Sequence, residues 1–263
     1  MSETIAEIKH VFKRAWNWLD SCLFPSHCAR CGAEGPVFCG LCIAEIQFAR
    51  QICFVCRKES ENGFTHQACR LAIQSPAPCR FLSACEYASI AKLIHAFKYE
   101  QIAEAGKICA KILAEFACRV NPPINFPKYQ ITFVPMHSRR QNVRGFNQSQ
   151  ILANTIAAEF GASTVPLLSK IANTPAQAEL NKDQRAANLA KSPFACLEHA
   201  QRKTIFVPKK KTEKMAREMS QPMPEKIILI DDVFTTGSTM KACCAQLFSA
   251  GAREIICLTL ARD

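Results

Sequence analysis

Ile227-Ile228-Leu229-Ile230-Asp231-Asp232-Val233-Phe234-Thr235-Thr236-Gly237-Ser238-Thr239 joins four aliphatic residues to an acidic pair and a small, hydroxyl-rich turn. An apolar run this short, bounded by charge, predicts a strand over Lys226–Ile230 that is buried on both faces. Two acids then follow at its carboxyl end, and helical spacing resumes over Ser238–Ala250. Each part of the run has a chemical use. Thr235, Thr236, Gly237, Ser238 and Thr239 offer successive backbone N–H groups and hydroxyls to a phosphate. Gly237 lets the backbone come close, and the helix N-terminus adds a favourable dipole. Asp231 and Asp232 are poor phosphate ligands but good acceptors for the vicinal hydroxyls of a sugar. Together they describe a cradle for a ribose 5-phosphate.

Working outward, Phe81–Tyr87, Gln130–Val134 and Glu254–Leu260 read as further strands. Ile90–Lys98, Ala103–Cys118 and Ser149–Phe160 have helical spacing, and Asn121–Lys128, with three prolines, reads as a loop. Strands that alternate with helices predict an α/β fold with a mostly parallel sheet and helices on both faces. Ligands in such folds sit at the carboxyl ends of the strands. Residues 197–225 are irregular and basic, and read as an insertion or mobile loop.

The chain has 263 residues, 49% of them hydrophobic and 21% charged, which excludes a predominantly disordered chain. No uncharged apolar run approaches the roughly 18 residues of a membrane-spanning helix. Glu3 and Glu7 occupy the place where a secretory signal is positive, so a cytoplasmic location is expected. Residues 1–21 read as an amphipathic helix, with Ile5, Ile8, Phe12, Ala15, Trp16 and Leu19 on one face. Docking of that face on protein is expected ahead of a peripheral position at the inner face of the membrane. Net charge is +11, with +1 in residues 1–78 and +10 in residues 79–263. Such a balance suits anionic partners such as phosphates and nucleic acid, and it also serves plain solubility.

Sixteen cysteines are too many for background in a chain of this length. Cys28-x2-Cys31, Cys39-x2-Cys42, Cys53-x2-Cys56 and His66-x2-Cys69 form four two-ligand knuckles. Zinc takes four such ligands in a tetrahedron, so eight ligands predict two closed structural sites with no position left for catalytic water. Short intervening loops favour sequential pairing, though spacing leaves an interleaved arrangement open. Residues 22–78 are thereby read as a small double zinc ribbon that cannot bury a core unaided. Ser75-Pro76-Ala77-Pro78 reads as a linker. Cys22, Cys79, Cys85, Cys109, Cys118, Cys196, Cys243, Cys244 and Cys257 mostly fall in apolar stretches and read as core.

The thirteen-residue run resembles the motif of the type I phosphoribosyltransferases, which holds phosphoribosyl pyrophosphate (PRPP). That resemblance implies a type I phosphoribosyltransferase fold over 79–263. It places Asp231 and Asp232 at the ribose hydroxyls, as the residues nearest the chemistry, and Thr235–Thr239 at the 5-phosphate. Val134-Pro135-Met136-His137-Ser138-Arg139-Arg140 with Arg144-Gly145-Phe146-Asn147-Gln148 is similar to the corresponding loop of the ComF family of competence proteins. Thr174-x2-Gln177-x2-Leu180-x4-Arg185-x2-Asn188 resembles that family too, as does the order of cysteine knuckles before a phosphoribosyltransferase domain. His66, where that pattern has a cysteine, and the long 197–225 connection depart from it.

Physical roles follow for these segments. Arg139, Arg140 and Arg144 are candidates to neutralise pyrophosphate, because guanidinium grips phosphate oxygens in a fork. His137 reads as a passive loop residue. Residues 174–188 read as a hood, with Arg185 as its phosphate contact. The family resemblance implies a role in natural competence and DNA uptake, with PRPP bound, magnesium carried with it, and single-stranded DNA and uptake or recombination proteins as partners. The alternative is a PRPP-dependent transferase with an unidentified acceptor, unrelated to DNA. No acceptor pocket is recognisable in the sequence.

Overall fold

The computed structural model describes residues 27–99, 103–171, 192–197 and 222–263. The amphipathic segment 1–21, Cys22, the Thr174–Asn188 segment with Arg185, and most of 197–225 lie outside them.

Four strands build the central sheet: β1 (Arg80–Glu86), β2 (Gln130–Phe133), β5 (Lys226–Phe234) and β6 (Glu254–Arg262), in the order β1-β6-β5-β2. All three pairings are parallel. A short antiparallel pair, β3 (Leu168–Lys170) with β4 (Phe194–Cys196), lies apart from it. The α-helices among the described residues are α1 (Gly40–Ala44), α2 (Tyr87–Tyr99), α3 (Ala103–Arg119), α4 (Ser138–Arg144), α5 (Gln148–Glu159) and α6 (Ser238–Ser249).

Alternation along β5 sends its aliphatic residues to two cores. Ile228 and Ile230, with Ile256, Leu258, Leu82 and Ile131, pack under α2, α3 and α5 through Leu93, Phe97, Leu113, Leu152 and Ile156. Ile227 and Leu229, with Phe81, Ile255 and Cys257, pack under α6, the β3–β4 pair and part of the cysteine-rich segment. A sheet covered on both faces needs apolar side chains on both, and this explains the unbroken aliphatic run. Each core also takes residues from ahead of the sheet. Cys28, Val37, Phe38 and Cys42 join the first, and Ile52, Phe54 and Ile73 join the second.

The cysteine-rich segment does more than pack. Residues 47–51 run antiparallel along the outer edge of β1. Ala49 donates its N–H to Ala84 O at 3.0 Å, and Gln47 O accepts from Glu86 N at 2.9 Å. The Gln51 amide also bonds both the N–H and the C=O of Ser83, each at 3.1 Å. On the far edge, Val165 N donates to Ile131 O at 2.9 Å, which covers β2.

Most expected elements fall within a few residues of their expected bounds, with three differences. The strand at Lys226 continues to Phe234, so the acidic pair lies inside it rather than beyond it. The reason is β6, which stays in register with it through Asp231↔Thr259, Val233↔Ala261 and Phe234↔Arg262. The loop after β2 contains α4. The β3–β4 pair was not anticipated at all.

Candidate functional site

The two neighbours of β5 end at different places, and this opens the site. On one side β6 follows it to Phe234. On the other, β2 stops pairing at Phe133↔Ile230, closed by a bond from Val134 N to Ile230 O at 2.9 Å. Beyond that point β5 has no ladder partner on the β2 side among the described residues, which leaves a gap in the sheet at Asp231 and Asp232. The chain leaving β2 turns into α4, capped by the His137 side chain, whose Nδ1 accepts from Arg139 N at 3.3 Å. Gly145, at φ 79°, closes α4 in the left-handed region. Asn147 then starts α5. Its Oδ1 accepts from Ser149 N at 3.1 Å, and its Nδ2 donates to Val134 O at 3.0 Å. One buried amide thus ties the end of β2 to the start of α5 and aims Ser149 across the gap.

Ser149 Oγ donates to Asp231 Oδ1 at 2.8 Å, and the same oxygen accepts from Asp232 N at 2.9 Å. Burial, and then the charge of Asp232, raise the Asp231 carboxyl to about 7. Asp232 pairs with Lys98 Nζ at 2.7 Å, and both side chains are mostly buried. A second cation, Lys170 of β3, is close enough to feel Asp231, and it lies 5.4 Å from the centre of the Phe194 ring. Burial lowers its pKa, and Arg140 lowers it further.

Thr235 and Thr236 are exposed, Gly237 is buried, and Ser238 opens α6. Thr236 Oγ1 lies 3.0 Å from Ser238 Oγ and accepts from Ser238 N at 3.4 Å. No acid lies in the first turn of this twelve-residue helix, so its positive end faces the turn uncompensated. Gly237 has φ 78°, and a Cβ there would stand 2.8 Å from the Phe234 ring and 3.0 Å from Phe54 O. Only glycine fits this turn, for conformation and for space.

The three arginines divide. Arg140 reaches the field of Lys170. Arg144 lies over the Tyr99 ring at 5.0 Å and donates to its hydroxyl at 3.3 Å. Arg139 is exposed on α4. Two residues here carried no sequence signal. Lys98 and Lys170 sit in ordinary amphipathic or short-strand contexts and meet the acids only through the fold. Gln148 is 1% exposed, and among the described residues neither its amide oxygen nor its amide nitrogen has a hydrogen-bond partner. A buried amide left in this state is costly unless water or a ligand completes it.

The cysteine knuckles pair sequentially. Cys28, Cys31, Cys39 and Cys42 form one group, and Cys53, Cys56, His66 and Cys69 form the other, with all ligand atoms of a group within 4.8 Å of one another. Cys28 and Cys42 Sγ are 3.6 Å apart, Cys31 and Cys39 Sγ 3.7 Å, and Cys56 Sγ is 3.3 Å from His66 Nδ1. A zinc–sulfur bond of about 2.3 Å in a tetrahedron sets sulfur atoms about 3.8 Å apart, so these donor sets fit zinc. Each first knuckle is closed by a left-handed residue four positions on. Gly32 N bonds Cys28 O at 2.8 Å, and Arg57 N bonds Cys53 O at 2.7 Å. His66 therefore completes the second group where a fourth cysteine was the family pattern. Of the other cysteines, 79, 85, 109, 243, 244 and 257 are buried, whereas Cys118 is exposed on α3 and Cys196 is half-buried.

Fold and sites define an α/β protein with a parallel sheet flanked by helices, preceded by cysteine clusters that fit a zinc ribbon. No family model matches the chain. It is 25% identical over 231 residues to the DNA utilization protein YhgH of Salmonella typhi, covering 84% of this chain and 90% of that protein. Its counterpart in Escherichia coli strain K12 is 24% identical over 251 residues, 86% of this chain and 98% of its own length. Competence protein ComFC of Streptococcus pneumoniae is 25% identical over 143 residues, about half of each chain. The chain is thus similar to DNA utilization proteins over most of its length and to a ComF competence protein over about half of it.

Among the described residues, no helix is long and apolar enough to cross a membrane.

Proposed function

We propose that this chain binds PRPP in the gap beside β5 and acts in competence-type DNA uptake or utilization. The observation that carries the reading is the continuity of Asp231 and Asp232 with the Thr235–Ser238 turn at the start of α6. Vicinal ribose hydroxyls would bond the two carboxylates, and the 5-phosphate would take the N–H groups and hydroxyls of the turn. Lys98, Lys170 and Arg140 supply positive charge around the acids, which suits a polyanionic ligand. Magnesium, carried by the pyrophosphate, would neutralise its charge; the protein carboxylates here are already engaged by Ser149 and Lys98, so they fit sugar hydroxyls better than a metal shell. The DNA setting rests on the names of the relatives, and handling of single-stranded DNA is the expectation that the basic half of the chain supports.

The test is calorimetric titration of the zinc-loaded chain with PRPP and magnesium. Saturable binding that an Asp231→Asn, Asp232→Asn variant loses supports the reading. A folded wild type that binds no PRPP overturns it. The second reading, a transferase with an unidentified acceptor, is favoured by the same cradle. Pyrophosphate release from PRPP on addition of a nucleobase or amine, with no salt-sensitive DNA binding, would select it.

A further inference from the structure

A third group of thiols lies apart from the two knuckle sets. Cys79 precedes β1, Cys257 is central in β6, and Cys244 projects from α6. Their sulfur atoms all lie within 4.8 Å of one another, with Cys79 to Cys257 at 3.8 Å and Cys244 to Cys257 at 3.4 Å. All three residues are fully buried in the apolar core that includes Phe81, Leu247 and Ile255. The Cys79 thiol donates to Ile255 O at 3.2 Å, and burial pushes the thiols of Cys79 and Cys257 well above their ordinary range.

Three convergent sulfurs from three separate elements make a tridentate soft-ion site. Charge decides which ion. Three thiolates around Cu(I) would leave a net −2 in this core, and around a divalent ion −1. Burying uncompensated charge costs several kcal/mol per ion even after relaxation. The neighbouring Cys53–Cys69 set, holding a divalent ion on three thiolates and a neutral imidazole, would itself carry −1, and Cys79 feels Cys53. A trivalent ion is the one that leaves the trio neutral. A pyramidal centre also holds its sulfurs closer together than a planar one, which agrees with the short Cys244–Cys257 approach.

We propose that Cys79, Cys244 and Cys257 form a binding site for a trivalent thiophilic ion of the arsenite type. Binding is an exchange without redox change. Three arsenic–oxygen bonds of arsenous acid break, three arsenic–sulfur bonds form, and each thiol proton leaves with a hydroxyl as water. The adduct is neutral. It would cross-link the residue ahead of β1 to β6 and to α6, the helix that begins at the Thr235–Gly237 turn.

The test uses the full-length, reduced, zinc-loaded chain. Sodium arsenite is added to the folded protein and, in a second arm, during refolding, because the trio is enclosed. Native mass spectrometry counts arsenic and zinc, and X-ray absorption at the arsenic edge reads the neighbours. One arsenic with three sulfur neighbours, both zinc ions retained, is expected. Cys244→Ala and Cys79→Ala should each lose the arsenic, whereas Cys243→Ala, one residue away but outside the trio, should keep it. Two bound zinc ions certify each variant as folded. No arsenic in either arm, arsenic bound with loss of zinc, or arsenic retained by the trio variants would overturn the proposal. So would a third zinc or a Cu(I) ion that displaces arsenite from the trio.

Discussion

Phe54 and Gly237 touch across the two halves of the chain: the Phe54 carbonyl oxygen occupies the space that a side chain on Gly237 would need. Phe54 lies inside the Cys53–Cys56 knuckle, and Gly237 lies in the turn that precedes α6. One wall of the Thr235–Gly237 turn is therefore built by the second cysteine group. Gly237→Ala should cost about 1–3 kcal/mol in urea unfolding, from its positive φ and the close approach. It should also weaken PRPP binding by more than tenfold (about 1.4 kcal/mol or more). A variant with unchanged affinity would remove the turn from the site.

The raised Asp231 carboxyl gives a pH signature. Unfolded, the group titrates near about 3.9; folded, it titrates at about 7. The fold thus favours the protonated form, so this group's contribution is most favourable below pH 4. It declines as pH rises toward 7 and is level above that. Asp231→Asn keeps an acceptor for Ser149 and for the Asp232 N–H while removing the charge. The folded value already includes repulsion by Asp232 and attraction by Lys98, so the expected gain is up to about 4 kcal/mol at pH 8 and near zero at pH 4. Stability curves at the two pH values check this. Equal gains at both would contradict the assignment.

Lys98→Met removes the cation that faces Asp232 and leaves a mostly buried carboxylate alone. A loss of about 1–3 kcal/mol is expected. Adding Asp232→Asn should restore part of it, and the double-mutant cycle measures the coupling. Purely additive effects would mean the 2.7 Å pair carries no energy.

The acidic pair, the turn and the cysteine spacing were legible because each is a local pattern whose chemistry is set within a dozen residues. Lys98 and Lys170 were not, because nothing near them in the chain marks them as partners of Asp232 and Asp231; the parallel topology does that. Helix α4 was hidden because Ser138–Arg144 is polar nearly throughout and has no apolar stripe, so its cap and its closing glycine carry it. The β3–β4 pair escaped because its strands are three residues long and far apart in the chain. The strand runs past its expected end at Ile230 because, although charge normally ends a buried strand, the ladder with β6 continues to Phe234.

Metal removal should be felt in both cores, since Val37 and Phe38 belong to one and Ile52, Phe54 and Ile73 to the other. A chelator should lower the unfolding midpoint of the whole chain in a single transition. Cys53→Ser should do likewise, whereas Cys118→Ser, on the exposed face of α3, should stay within about 0.5 kcal/mol of wild type. A separate early transition with the sheet unaffected would refute this coupling.

The segment 47–51 has one more consequence. By occupying the outer edge of β1, it satisfies N–H and C=O groups that would otherwise face solvent as an open template for another chain. A fragment starting after residue 78 would keep every strand of the sheet yet expose that edge, together with the apolar patches that Phe38 and Phe54 cover. Such a fragment would self-associate through β1. The cysteine-rich segment thus acts as a cap on the sheet as well as a metal-binding candidate.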